Sequence, residues 1–125
     1  MGPVFRIAIK SSEGKYLYHN SDGSLSFENC DIMEPEVQFY APIGTSVFLQ
    51  SYKRNLISLD SNNSLVLTGN NTSISENEIF SAVFIGANKV AVRASNGMFV
   101  HSGLLSACSN SISDNEIFEI IHLYI

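Results

Sequence analysis

Three stretches of this chain end alike: Glu34-Pro35-Glu36-Val37-Gln38-Phe39, Ser75-Glu76-Asn77-Glu78-Ile79-Phe80 and Ser113-Asp114-Asn115-Glu116-Ile117-Phe118. Their closing phenylalanines lie 41 and 38 residues apart. Upstream of each, the same order of apolar pairs returns. Ile7/Ile9 matches Val47/Leu49 and Val90/Val92. Tyr16/Leu17 matches Leu56/Ile57 and Phe99/Val100, and Leu25/Phe27 matches Leu65/Leu67 and Leu105/Ala107. A period near 40 residues with short apolar segments inside each unit is the mark of an architecture built by repetition. The repeats run about 4–44, 45–86 and 87–125, within a single domain of 125 residues.

Each unit reads as four short strands. In the first, Phe5-Arg6-Ile7-Ala8-Ile9-Lys10 alternates with the period of a half-buried strand. Ser12-Glu13-Gly14 turns the chain, and Lys15-Tyr16-Leu17-Tyr18 resumes it. Asp22-Gly23 suits a type I′ hairpin turn before Ser24-Leu25-Ser26-Phe27. After a polar loop, Val37-Gln38-Phe39-Tyr40 closes the unit before Pro42 and Gly44. The second unit gives strands at Val47–Gln50, Leu56–Leu59, Leu65–Leu67 and Ile79–Val83; the third gives Val90–Arg93, Met98–Val100, Leu104-Leu105 and Ile117–Ile121. The turn glycines Gly14 and Gly97 face Arg54 in the second unit, so Asn55 is expected to take the left-handed position there.

Twelve short strands with no helix-period segment point to an all-β barrel or sandwich. Three repeats of four strands narrow this to a β-trefoil with pseudo-threefold symmetry. Six strands then close a barrel and three hairpins cap it, leaving few free strand edges. A seven-stranded immunoglobulin-like sandwich gives no reason for a threefold repeat, and its Cys…Trp…Cys mark is absent because the chain has no Trp.

Composition bounds the function. The chain is 45% hydrophobic and 15% charged, which suits a well-buried core and excludes a disordered segment. Seven Lys/Arg against twelve Asp/Glu give a net charge of −5, which argues against phosphate-dominated nucleic-acid binding. No apolar run approaches the ~20 residues that span a bilayer. Met1-Gly2-Pro3-Val4-Phe5-Arg6 has no apolar signal core, and Arg6 stands where a myristoylation signal wants Ser or Thr. A cytoplasmic protein is therefore expected, with the nucleus as the alternative. Cys30 and Cys108 are then expected to be free thiols in the core. The sequons at Asn62, Asn70 and Asn71 fall in a stretch rich in Asn and Ser, where chance supplies them.

No catalytic constellation is present. His19, His101 and His122 fall in no Gly-x-Ser-x-Gly, His-Glu-x-x-His or Cys-x-x-Cys pattern. The recurring acids Glu34, Glu36, Glu76, Glu78, Asp114 and Glu116 are read as solvated loop ends carried along by duplication rather than as a glycosidase pair. No enzyme activity, metal or cofactor is expected. All seven basic residues lie near a first strand or the turn after it. Lys10, Lys15, Lys53, Arg54, Lys89 and Arg93 are accordingly the candidate binding surface, a weakly basic patch if the threefold axis gathers them. Tyr18, Tyr40 and Tyr52 fall off the core pattern.

Ile7-Ala8-Ile9-Lys10-Ser11, Gly14-Lys15-Tyr16-Leu17 and Asn20-Ser21-Asp22-Gly23, with the repeat-ending Phe motif, resemble the fascin-like branch of β-trefoils. That branch includes fascin, the histidine-rich hisactophilins and the nuclear family named for the facioscapulohumeral dystrophy region. The resemblance spans essentially the whole chain. It implies a protein partner, filamentous actin, with RNA-processing association for the nuclear members. The competing class is a carbohydrate-binding trefoil lectin. The ricin-type Gln-x-Trp mark is missing, but Tyr18, Asp22, Asn62 and His101 near the second hairpin turns supply glycan-binding chemistry. A third class, the protease-inhibitor or cytokine-like trefoil acting through one exposed loop, finds nothing for or against it in the sequence.

Overall fold

The structure is a computed structural model and describes residues 4–42, 46–69 and 73–123. Gly2, Gly44, Asn70 and Asn71 lie outside the described residues. The strands are β1 (Val4–Ser11), β2 (Tyr16–His19), β3 (Leu25–Glu28), β4 (Phe39–Pro42), β5 (Ser46–Val47), β6 (Gln50–Ser51), β7 (Ile57–Leu59), β8 (Leu65–Leu67), β9 (Phe80–Gly86), β10 (Lys89–Arg93), β11 (Phe99–His101), β12 (Ser106–Ser109) and β13 (Ile117–His122).

Their pairing closes a ring. β1 pairs with β4 over Val4–Ile7 and with β13 over Ile7–Ser11. β4 pairs with β6, β5 with β9, β9 with β10, and β10 with β13. Six strand paths thus form an antiparallel barrel. The hairpins β2–β3, β7–β8 and β11–β12 complete the three repeats. The architecture is a β-trefoil.

Inside it, Phe39, Phe80 and Phe118 are 0%, 1% and 2% exposed. The paired positions Ile7, Ile9, Leu49, Val90, Leu17, Ile57 and Val100 join them in one core. Burying each phenylalanine side chain is worth roughly 1.5–3 kcal/mol. Phe27 stacks on Phe118 with ring centroids 5.8 Å apart, tying the first hairpin to the last barrel strand.

Four local expectations change. The first strand of the second repeat is two short ladders rather than one strand from Val47 to Gln50. Its halves serve different neighbours, β9 and β4, and Phe48 and Leu49 sit between them. In the third repeat Leu104 and Leu105 form a turn and the strand starts at Ser106. Between the equivalent pairs Leu17/Phe27, Ile57/Leu67 and Val100/Ala107 the third hairpin is three residues shorter than the others, and a register shift between Phe99 and Val100 leaves Cys108 as an extra residue. Each polar loop before the closing phenylalanine ends in a 3-10 turn, at Pro35–Val37, Glu76–Glu78 and Asp114–Glu116. Val37 therefore belongs to a turn, not to the fourth strand.

The fourth change concerns turn chemistry. Ser11–Lys15, Ser51–Asn55 and Ala94–Met98 are closed by the same two backbone hydrogen bonds. That geometry needs a positive φ at the fourth residue, which Gly14 (83°), Arg54 (67°) and Gly97 (82°) all adopt. Arg54, not Asn55, is left-handed, because the two hydrogen bonds fix the position whatever residue fills it. Asn55 instead donates its side-chain amide to the Thr68 carbonyl. Asn20–Ser24 and Asp60–Ser64 use the same turn, with Gly23 and Asn63 at positive φ. Asp22 has no positive φ, so the expected type I′ turn is replaced by a three-residue hairpin loop of type I with a left-handed closing residue.

Gly97 tests this. A Cβ there meets no atom within 4 Å, so only backbone strain opposes it. Gly97→Ala should cost about 1–2 kcal/mol in chemical denaturation. Gly86→Ala, equally uncrowded but without a positive φ, should be close to neutral.

Candidate binding surfaces

Residues directly opposite one another on paired antiparallel strands project from the same face of the sheet. The register therefore groups the outward positions of the barrel into three equivalent rows. One joins Arg6, Tyr40 and Gln50. The second joins Ser46, Ser81 and Arg93. The third joins Lys89, Glu119 and Lys10. Rows related by the threefold axis face outward in different directions. The basic candidates consequently do not form one patch: Lys10 and Lys89 share a row around Glu119, Arg93 stands in another, and Lys15, Lys53 and Arg54 occupy exposed turns.

Three of these cations rest on aromatic rings. Lys10 Nζ lies 5.7 Å from the Tyr16 ring centroid, Arg93 Cζ 4.9 Å from that of Phe99, and Lys53 Nζ 5.6 Å from that of Tyr52. Each contact is worth about 0.5–1 kcal/mol at an exposed site. Each repeat thus holds one cation against a ring beside its first turn. Sequence reading singles out the cations and Tyr52 but misses Tyr16 and Phe99, which it reads as core positions. The signal was present, since Lys10/Tyr16 and Arg93/Phe99 share the same spacing.

The glycan candidates are placed differently. Asp22 accepts hydrogen bonds from the Ser24 N–H and hydroxyl, and these hold its carboxyl below the usual range. Asn62 lies in the Asp60–Ser64 turn, where its N–H donates to the Asp60 carboxylate. His101 Nδ1 accepts from the N–H groups of Gly103 and Leu104. These three belong to turns of different repeats; the Asp60–Ser64 turn meets the turn after His101 through the Leu65 N–H to Leu105 and Ala107 N–H to Asn63 hydrogen bonds. Partial burial, then the Glu36 and Glu34 carboxylates, push the Tyr18 phenol up.

Two recurring acids are not solvated. Glu78 and Glu116 are 4% and 3% exposed, at the position that Val37 fills in the first repeat. The Glu78 carboxylate accepts from the Ser75 N–H and hydroxyl and from the Ser58 hydroxyl. Glu116 does the same with Ser113 and Ser109. Burial alone would raise both carboxyls, but these hydrogen bonds outweigh it and hold them below the ordinary value. A buried carboxylate with satisfied lone pairs organises the 3-10 turn rather than reacting.

His19 was given no role by the sequence. It is buried, it packs edge-on against Tyr52 at 5.4 Å between centroids, and its Nδ1 has no partner. Burial, then Lys53, lowers its pKa, partly opposed by Glu36. The equivalent of His19 in the second repeat is the buried Leu59. Both cysteines are free, but neither is a core thiol: Cys30 is half-buried and Cys108 is exposed. Among the described residues no His, Cys, Asp or Glu cluster is arranged to hold a metal ion, and no helix is long and apolar enough to cross a membrane.

No family model matches the chain, and no curated protein matches it in sequence. Its fold is similar to that of the designed 3-fold symmetric protein ThreeFoil, with a TM-score of 0.76 and 13% identity over 94% of this chain and 99% of that one. It is also similar to part of the GlcNAcα1-4Gal releasing endo-β-galactosidase from Clostridium perfringens, with a TM-score of 0.77 and 13% identity over 96% of this chain. The match covers 33% of that glycosidase. At this identity the likeness establishes the β-trefoil alone.

The buried ionisable groups give two separable acid responses. The folded state resists protonating His19, so stability should fall as pH drops below about 6.5. The depressed carboxyls of Glu78 and Glu116 stabilise the fold above the ordinary glutamate value, and that contribution should be lost as pH falls through their lowered values. His19→Leu should raise stability at pH 7 by about 1 kcal/mol by removing an unsatisfied buried nitrogen. It should also abolish the loss that sets in below about pH 6.5 while leaving the loss that sets in below the ordinary glutamate value. Urea unfolding at pH 7, 5 and 3.5 reads both.

Proposed function

We propose that the chain is a non-catalytic binding module of the cytoplasm that associates with filamentous actin. The observation that supports this reading is the set of three ring-supported cations, Lys10, Lys53 and Arg93, one per repeat. A cation resting on a ring loses less side-chain freedom on binding than one that is free, so it is pre-organised for a partner that presents carboxylates. The fascin-like pattern of the first repeat, Gly14-Lys15-Tyr16-Leu17 with the repeat-ending phenylalanines, supplies the identity of that partner. Because the three cations face different directions, a single copy engages a filament through one of them with its neighbours. It decorates filaments rather than crosslinking them.

Electrostatic association of this kind is modest and salt-sensitive. The expected result is saturable co-sedimentation with filamentous actin in high-speed spins at low salt, weakening at physiological salt, with no bundles in low-speed spins. Reversing Lys10, Lys53 and Arg93 together to Glu should weaken binding at least tenfold without changing thermal stability by more than a few degrees. Absence of pelleting at low salt would overturn the reading. A glycan-array signal insensitive to the reversals would replace it with the carbohydrate-binding alternative, and retention on RNA at moderate salt with the RNA-associated one.

A further inference from the structure

The barrel encloses a cavity of about 380 Å³ at the end remote from the hairpins. All six strand paths line it and no hairpin strand does. Its floor is the layer Ile9, Leu49 and Val92, below which the core is tight, with a void of only about 30 Å³. Its mouth is formed by Phe5, Phe84, Asn88 and His122.

The threefold repeat explains why the space is empty. Two residues past the closing phenylalanines stand Ala41, Ala82 and Ile120, all of which line the cavity. Two of three equivalent positions carry a methyl group where the third carries a branched aliphatic chain. Neighbouring layers do not compensate, since Val47 and Val90 are smaller than their counterpart Ile7. Such a void deprives its lining of dispersion contacts and costs stability in proportion to its volume. The rim adds a second anomaly: Phe84 is 65% exposed and Phe5 38%.

We propose that this end of the barrel is a binding site for a compact, uncharged apolar molecule of one or two fused rings. The volume exceeds the roughly 150 Å³ of an apolar cavity that admits benzene and lies in the range of small-molecule pockets. No Lys, Arg, Asp or Glu is among the described lining residues, so a charged guest would be desolvated without a partner. Depth favours a ring over a long chain, because Phe5 to Ile9 spans only about 13 Å of strand. Phe5 and His122 already meet edge-to-face at the rim, with centroids 5.8 Å apart, and exposed Phe84 offers a further ring to an entering aromatic guest. Among the described lining residues Asn88 and His122 carry the polar side chains, both exposed, and the guest's single hydrogen-bonding group stays with them at the mouth.

The test is calorimetric and NMR titration of the intact chain with indole and 2-naphthol, and with 2-naphthoate as the charged counterpart. Saturable one-to-one binding of an uncharged ring is expected, with shifts at the cavity-lining methyls and a rise in Tm. Ala82→Ile, which copies Ile120 into the second repeat, should raise the Tm of the free protein and weaken binding at least tenfold. Ala41→Ile should act in the same direction. If both variants fail to fold, Phe84→Ala at the exposed rim should weaken binding several-fold in a folded protein. No saturable binding of either uncharged ring up to its solubility limit would overturn the proposal. So would undiminished affinity in a folded filled variant or, where both fail to fold, in Phe84→Ala, or tighter binding of 2-naphthoate than of 2-naphthol. Ala82→Ile leaves Lys10, Lys53 and Arg93 untouched, so actin co-sedimentation should be unchanged in it, and failure of either reading leaves the other standing.

Discussion

Everything in this molecule depends on the double use of each repeat's first strand. β1 gives one end to the fourth strand of its own repeat and the other to the fourth strand of the repeat before it in the ring, and β10 and the β5–β6 path repeat the arrangement. No repeat can close its own barrel segment, so the three fold together or not at all. Closure satisfies the strand edges by hydrogen bonding and draws Phe39, Phe80 and Phe118 into one layer. The same pairing decides which side chains face outward together. The placement of Lys10 beside Glu119 and Lys89, and of Arg93 beside Ser81 and Ser46, follows from register.

What was legible in the sequence is what every repeat must do. The closing phenylalanines, the Ile7/Ile9-type pairs and the hairpin turns recur because closure demands them three times. What was illegible depends on partners distant along the chain. Glu78 reads as a surface acid because the Ser58 that satisfies it lies 20 residues away. Arg54 reads as a poor candidate for a left-handed residue because the Ser51–Asn55 turn, not the local propensity, sets its conformation. Cys108 reads as a core thiol, but the register shift between Phe99 and Val100 leaves it as an extra, exposed residue of its strand. The candidate cations were legible, but their dispersal was not. A linear repeat tells which positions are equivalent and not which way the strand that carries them faces.

The repeats are most informative where they disagree. At one position before the closing phenylalanine the first repeat buries Val37 while the others bury Glu78 and Glu116. An apolar residue and a fully hydrogen-bonded carboxylate both satisfy the site, because each leaves no group wanting a partner. The carboxylates draw on serines: Ser75 and Ser113 open their turns, and Ser58 and Ser109 on hairpin strands complete the set. The first repeat has Pro35 to start its turn and needs no such network.

The disagreement at Ala41, Ala82 and Ile120 has no such compensation. Among the described residues nothing charged lines the space the alanines leave, and Ile7, Ile9 and Leu49 remain buried around it. The barrel tolerates the void because its walls are held by a closed hydrogen-bonded ring and its floor by the tight layer beneath. Loss of packing at one end therefore need not open the fold. The same separation lets the outer wall and the interior vary independently. Alternate residues along each barrel strand face opposite ways, so a cation can be added at Lys10 without disturbing Ile9, and a side chain trimmed at position 82 without moving Ser81 or Phe80. A six-stranded barrel with its pairing fixed in this way can carry one recognition chemistry on its surface and a different one inside.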